Sequence, residues 1–146
     1  METKNRINFS LLSLHEEKFE IKEHLVLPEA PSFMVQYLIE SEARPESESI
    51  YVRTGIRYLV EKEVVCECIL GVHFSIENFN SVVSIDEESK RINFSSNLMP
   101  TFWGITYGAL RGALFENVKN TPMAPFPLPL ISMEELEKMN HFKVVK

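Results

Sequence analysis

Along the first part of the chain apolar residues take every second position. Ile7, Phe9 and Leu11 alternate with polar neighbours, and Phe19 and Ile21 resume the pattern. A period of two predicts a β-strand. Leu11 and Leu12 adjoin and break the alternation, which predicts a bulge. Leu25 to Pro31 reads as a proline-containing loop carrying the aliphatics Leu25, Val26 and Leu27. Three more strands are predicted: 33–43, 50–61 and 64–76. Ile50, Val52, Ile56, Tyr58 and Val60 share one face of the middle strand. Pro45-Glu46-Ser47 and Lys62-Glu63 supply the reversals, so these three strands form an antiparallel meander. From Asn78 to Asn97 the pattern fades into a polar connection with a short apolar piece at Val82 to Ile85. A connection of that length is expected to cross the sheet edge.

The period then changes to that of a helix. Pro100 suits a first turn, and Trp103, Tyr107, Leu110, Leu114 and Val118 form an apolar stripe at spacings of three and four, predicting a helix to about Lys119. Gly104, Gly108 and Gly112 form a second stripe and are three of the chain's five glycines. Each costs a helix interior about 1 kcal/mol relative to alanine, so a compensating close contact is expected. Two readings are open. The glycines pack flat on the chain's own sheet, or they meet the same helix of another copy. Arg111 then needs an acidic or carbonyl partner, or a place at a rim.

Pro122 to Ile131 holds four prolines in ten residues, which bars a helix and favours extended chain. The segment also carries Phe126, Leu128, Leu130 and Ile131, so it must lie on an apolar surface. Ser132 with Glu135 three residues later is a capping-box signature, opening a short helix to about Met139. The segment His141 to Lys146 is short and basic.

Length and composition leave this picture unchanged. With 146 residues, 45% of them hydrophobic and 25% charged, the chain is one domain's worth with a core that needs no staples. The net charge of −6 disfavours nucleic acid. It suits solubility, or a partner with a basic patch. No apolar run follows Met1 to Arg6, so no secretory signal and a cytoplasmic location are expected. Leu98 to Phe115 is apolar over 18 residues, but Arg111 and Pro100 argue for a helix buried in protein, not one inserted in a membrane.

Candidate chemistry is sparse. Cys66 and Cys68 stand two apart, which is neither a redox nor a zinc spacing. They read as reduced, half-buried thiols on one strand face. His15, His24, His73 and His141 are scattered, with no metal-ligand pair. There is no glycine-rich phosphate loop and no nucleophile elbow. The expectation is a protein that is not an enzyme and carries no cofactor or metal.

Local motifs then add a family resemblance over roughly Ile7 to Met139. Phe19-Glu20, with Glu16 four positions before Glu20, resembles the F-E that closes the first strand of the SecB family of bacterial export chaperones. Cys66-Glu67 followed by Phe74-Ser75-Ile76 is similar to that family's C-E…F-S-I at equal spacing. Tyr107 and Arg111 resemble its Y-x-R helix motif with a different gap, and Phe126-Pro127-Leu128-Pro129-Leu130 resembles its F-P-Q-L-N-L. The resemblance implies a SecB-like α+β fold: a four-stranded antiparallel sheet with one long helix and a short C-terminal helix on one face. In residue numbers this is a single domain with the sheet over 6–76, a crossover over 77–98, the long helix over 99–119, an extended segment over 120–131 and the short helix over 132–140.

It also implies a function: a holdase that binds non-native polypeptide in an apolar groove, for export or for a dedicated client such as an antitoxin. The matching groove residues are Phe74, Phe126, Leu128 and Leu130, with Leu25 and Leu27 drawn from the loop. The family's acidic outer sheet face, which docks the SecA translocase ATPase, maps onto Glu16, Glu20, Val65 and Glu67; these glutamates equally suit a solvated face. The family's dimer of dimers, with long helices between the dimers, agrees with the glycine stripe and maps an interface onto Gly104, Gly108, Gly112, Trp103 and Arg111. There are departures. The loop after the first strand is shorter and lacks a tryptophan, Lys143 and Lys146 stand where the family has an acidic tail, and the connection after the helix is longer. These weigh against general export duty more than against the fold. Two other readings remain: a small-molecule or acyl-binding protein of hot-dog type, for which no carboxylate stands at the helix start Met99 to Phe102, and an adaptor on the same fold without a client groove.

Overall fold

The structure is a computed structural model that describes residues 7–86, 88, 91–94 and 98–144. The alternating segments become β1 (Phe9–Ile21), β2 (Met34–Arg44), β3 (Ser49–Val60) and β4 (Glu63–Ile76). The meander β2-β3-β4 is antiparallel, and β1 returns to pair with β4. The reversal between β3 and β4 sits at Glu61 and Lys62, one residue before its expected place. Both have positive φ, 49° and 68°, as a two-residue turn matched to strand twist requires.

The sheet differs from the expected one in its far edge. It has five strands, in the order β1-β4-β3-β2-β7, and is mixed rather than antiparallel. The fifth strand, β7 (Asn140–Val144), follows the last helix directly and runs parallel to β2. Phe142 and Val144 alternate with His141 and Lys143, but over four residues, the shortest run that indicates a strand, and nothing in that run specifies the edge it pairs with.

The crossover is also more than a polar connection. It forms a one-turn helix α1 (Phe79–Val82) and a separate two-stranded sheet, β5 (Val83–Asp86) with β6 (Arg91–Phe94). Phe79, Val82 and Val83 are buried with the main core. Arg6, residues 95–97 of the crossover and Lys146 fall outside the described residues.

The long helix α2 (Leu98–Val118) and the short α3 (Met133–Met139) complete the fold. Register puts Ile39 and Ala43, then Ile50, Val52, Ile56 and Tyr58, then Cys66, Cys68, Leu70, Val72 and Phe74 on one sheet face. These side chains and Phe102, Trp103, Leu110 and Leu114 of α2 make one buried cluster. The approach is close where Thr54 faces Thr106, with the Thr54 hydroxyl 3.5 Å from the Thr106 carbonyl. Ser132 caps α3 by accepting from the Glu135 N–H at 3.2 Å, the pairing its sequence signature predicts.

Candidate functional site

The proline-rich segment is built to be held through its carbonyls. Proline has no N–H, so such a stretch offers the protein mainly acceptors. Three side chains donate to them. The Tyr107 hydroxyl reaches Pro129 O at 2.5 Å, Arg111 Nε reaches Leu128 O at 3.3 Å, and the Tyr58 hydroxyl lies 3.5 Å from Phe126 O. Burial pushes the Tyr58 phenol up to about 12 and raises that of Tyr107 as well, so both keep the proton they donate. Phe126 packs edge-on against Phe33, and Phe33 against Tyr58, with ring centroids 4.9 and 5.5 Å apart.

This anchoring splits the expected groove residues. Leu128 points inward and is 3% exposed, while Leu130, two residues on, is 81% exposed. Leu25, Leu27 and Phe126 are half-buried. Phe74 is a correction: it is 0% exposed, stacked on Phe102 at 4.0 Å, with Phe9 edge-on to it at 6.1 Å. It supports the core beneath α2 and lines no open surface of this chain.

Beside Leu130 lies an open groove of about 410 Å³, lined by Tyr37, Pro129, Leu130, Ile131 and Met139, with Glu135 and Lys138 at its polar side. Met34, also exposed, stands on the same strand as Tyr37. Neither was marked by the sequence, because a half-buried edge strand has the same alternation as any other. A second apolar surface runs along β1, which among the described residues pairs only with β4 and has no strand on its other edge. Phe9, Leu11, Leu12 and Leu14 are exposed on it. Long, apolar open edges recruit another strand. The adjoining Leu11-Leu12 signalled the bulge, and the register shift between Leu11 and Ser13 is there. That the same doublet marks an open surface had no signal in one dimension.

The acidic patch does not assemble as mapped. A second bulge, between Glu16 and Lys18, reverses the side on which residues of β1 emerge. Glu16 is thereby sent to the helix side, where Asn117 Nδ2 donates to it and the Cys68 thiol lies 3.9 Å away. Val65 sits at an irregularity where β4 runs one residue ahead of β3, and it is buried with the core. Only Glu20 and Glu67 share the outer face. Glu67 is 5% exposed. It is ion-paired with Lys18, and with Arg57 at 2.6 Å. Burial opposes its charge, yet the hydrogen bonds from Lys18 and Arg57 prevail and hold its carboxyl below the usual range. On the same face Arg53 binds Glu17 and Glu40, and the Tyr51 ring lies over Gly71, where its hydroxyl is 3.2 Å from His15 Nε2.

The mapped oligomer face is likewise divided. Trp103 is buried and donates Nε1–H to Ser41 Oγ at 3.1 Å, so it belongs to the core. Arg111 is spent on the Leu128 carbonyl, one of the two partners anticipated for it. A Cβ on Gly104 would come within 2.7 Å of Met133 Cε, which places this glycine under α3. Gly108 and Gly112 have open space where a Cβ would go, and Ile105 and Phe115 are exposed on the helix beside them.

Among the described residues no three of His, Cys, Asp and Glu gather as a metal site, and no helix is long and apolar enough to cross a membrane. Burial pushes the Cys66 and Cys68 thiols up to about 11 and about 12, which keeps them protonated and unreactive at neutral pH.

No family model and no curated protein sequence matches the chain. Its fold is similar to that of Rv1957 of Mycobacterium tuberculosis, a SecB-like chaperone solved in complex with a ChAD peptide from the Rv1956 HigA1 antitoxin. The TM-score is 0.56 at 12% sequence identity, covering 85% of this chain and 88% of that chain.

Proposed function

We propose that this chain is a SecB-like holdase that binds extended or non-native polypeptide through uncovered apolar surface and catalyses nothing. The observation that carries the reading is Leu130, held 81% exposed at the mouth of an apolar groove by a segment whose own backbone is tied down. A soluble protein that leaves aliphatics uncovered in this way usually has a partner for them. The likeness in fold to a chaperone whose structure holds a peptide supports the same reading.

A dedicated client, such as an antitoxin segment, fits better than general export with the translocase ATPase. Of the four residues mapped to ATPase docking, Glu16 faces the helix, Val65 is buried and Glu67 is ion-paired. The chain acts in the cytoplasm as an assembly of copies, a dimer of dimers. Its support is the open β1 edge and the bare Gly108–Gly112 ridge beside Phe115.

The test is aggregation of a urea-unfolded client on dilution, followed by light scattering. Equimolar protein is expected to delay it. No delay at about tenfold excess over client ends the reading, since a holdase acts by mass action. Light scattering behind a sizing column reads the assembly; a monomer at the working concentration of the assay removes the dimer of dimers.

A further inference from the structure

The edge of β2 away from β3 has two parts. Along Ile39 to Ala43 it is taken by β7, in parallel register from Ile39 with Asn140 to Ala43 with Val144. Along Met34 to Leu38 no strand lies on it among the described residues. That uncovered part adjoins the groove lined by Tyr37, Leu130 and Met139.

We propose that β7 is an edge strap: it occupies backbone groups of β2 that an extended client would pair with, so that β7 and client compete. The proposal deepens the peptide-binding reading above and rests on it. Strand addition to a sheet edge gives affinity without regard to sequence, because main-chain groups make the bonds, while a flanking groove takes apolar side chains. Both parts are present here side by side. With the strap in place, five positions of β2 are open, a run of about 17 Å. A client longer than that, continuing in register past Leu38, meets β7 at Ile39.

At the first residue of the strap Ser41 Oγ donates to Asn140 Oδ1 at 2.7 Å, while Asn140 Nδ2 is buried with no partner among the described residues. His141 is exposed. Parallel pairing is also slightly weaker per residue than antiparallel. Short elements of this kind open well below the global unfolding free energy.

The experiment uses the full chain. Glu42 and Lys143 are register partners, so a Glu42→Cys/Lys143→Cys variant locks the strap when oxidised and frees it when reduced. Binding of two labelled apolar peptides, about five and about ten residues long, is read by fluorescence anisotropy. The short peptide is expected to bind both states alike, and the long one to bind the oxidised state about tenfold or more weakly. A His141→Pro/Phe142→Pro variant is expected to bind the long peptide more tightly than wild type. Successive N–H groups on a strand point to opposite sides, so two successive prolines remove a ladder donor whichever way β7 faces. Equal binding of the long peptide to the oxidised and reduced states overturns the strap and leaves the chaperone reading standing. No binding of either peptide to any variant overturns both.

Discussion

Leu128 and Leu130 lie in one proline-rich segment, two residues apart, and the structure assigns them opposite duties. Leu128 is 3% exposed and belongs to the core cluster. Truncating a buried leucine removes its transfer free energy and leaves a cavity, so Leu128→Ala is expected to cost about 2–5 kcal/mol. In a chain of this size a loss of about 3 kcal/mol lowers Tm by about 6–12 °C. Leu130 is 81% exposed, so Leu130→Ser is expected to change stability by less than about 0.5 kcal/mol. Its effect falls on binding. A leucine that goes from water into a client interface contributes about 1.5–3 kcal/mol, so its loss weakens capture about tenfold or more. Urea titration at fixed protein concentration reads the first quantity, because any assembly makes apparent stability depend on concentration. Titration of a labelled unfolded client reads the second. If Leu130→Ser unfolds as easily as Leu128→Ala, the segment is not tied down by its carbonyls as described. If Leu130→Ser is stable and binds client like wild type, the groove is not the binding surface.

Three further outcomes follow from the packing. At Gly71 a Cβ would lie 1.8 Å from the Tyr51 hydroxyl, so Gly71→Ala is expected to cost about 1–3 kcal/mol; in a Tyr51→Ala background that added cost should vanish, and a double-mutant cycle by urea unfolding that shows no coupling would contradict the contact. Glu67 has a folded pKa below its unfolded value because of Lys18 and Arg57, so its contribution is complete above about pH 4.3 and is lost as pH falls through the folded pKa; the stability gap between wild type and Glu67→Gln should shrink below that pH, and a gap that widens on acidification would refute the assignment. A Cβ added at Gly108 or Gly112 would meet nothing within 4 Å among the described residues, so Gly108→Ala/Gly112→Ala should raise the helix's own stability by up to about 1 kcal/mol per site; bulkier Gly108→Arg/Gly112→Arg should split the assembly on a sizing column, and an unchanged elution volume removes this ridge from the interface.

Elements with a strong local period were legible in the chain itself. The three-strand meander, the bulge at Leu11-Leu12, the long helix and the Ser132 cap each follow from spacings of two, three or four, or from one capping residue, and none needs a distant partner to be specified. The same local chemistry identified 126–131 as non-helical chain lying on an apolar surface, but not its start: residues 122–125 fold into turns, with the Ala124 N–H donating to Thr121 O at 3.1 Å and the Phe126 N–H to Met123 O at 3.0 Å. What tertiary structure decided is everything that depends on which face or edge a residue meets. Glu16 and Glu20 have even spacing yet point to opposite faces, because an extra residue in β1 reverses the side between them. Val65 and Phe74 look like any strand residue in one dimension, and burial beneath neighbours distant in sequence settled their roles. Leu128 and Leu130 are chemically identical; Leu128 packs into the core while Leu130 stays exposed, on a backbone held by Tyr107 and Arg111. The fifth strand is the plainest case: the alternation in β7 covers only the four residues His141 to Val144, and pairing with the edge of β2 is what makes it a strand.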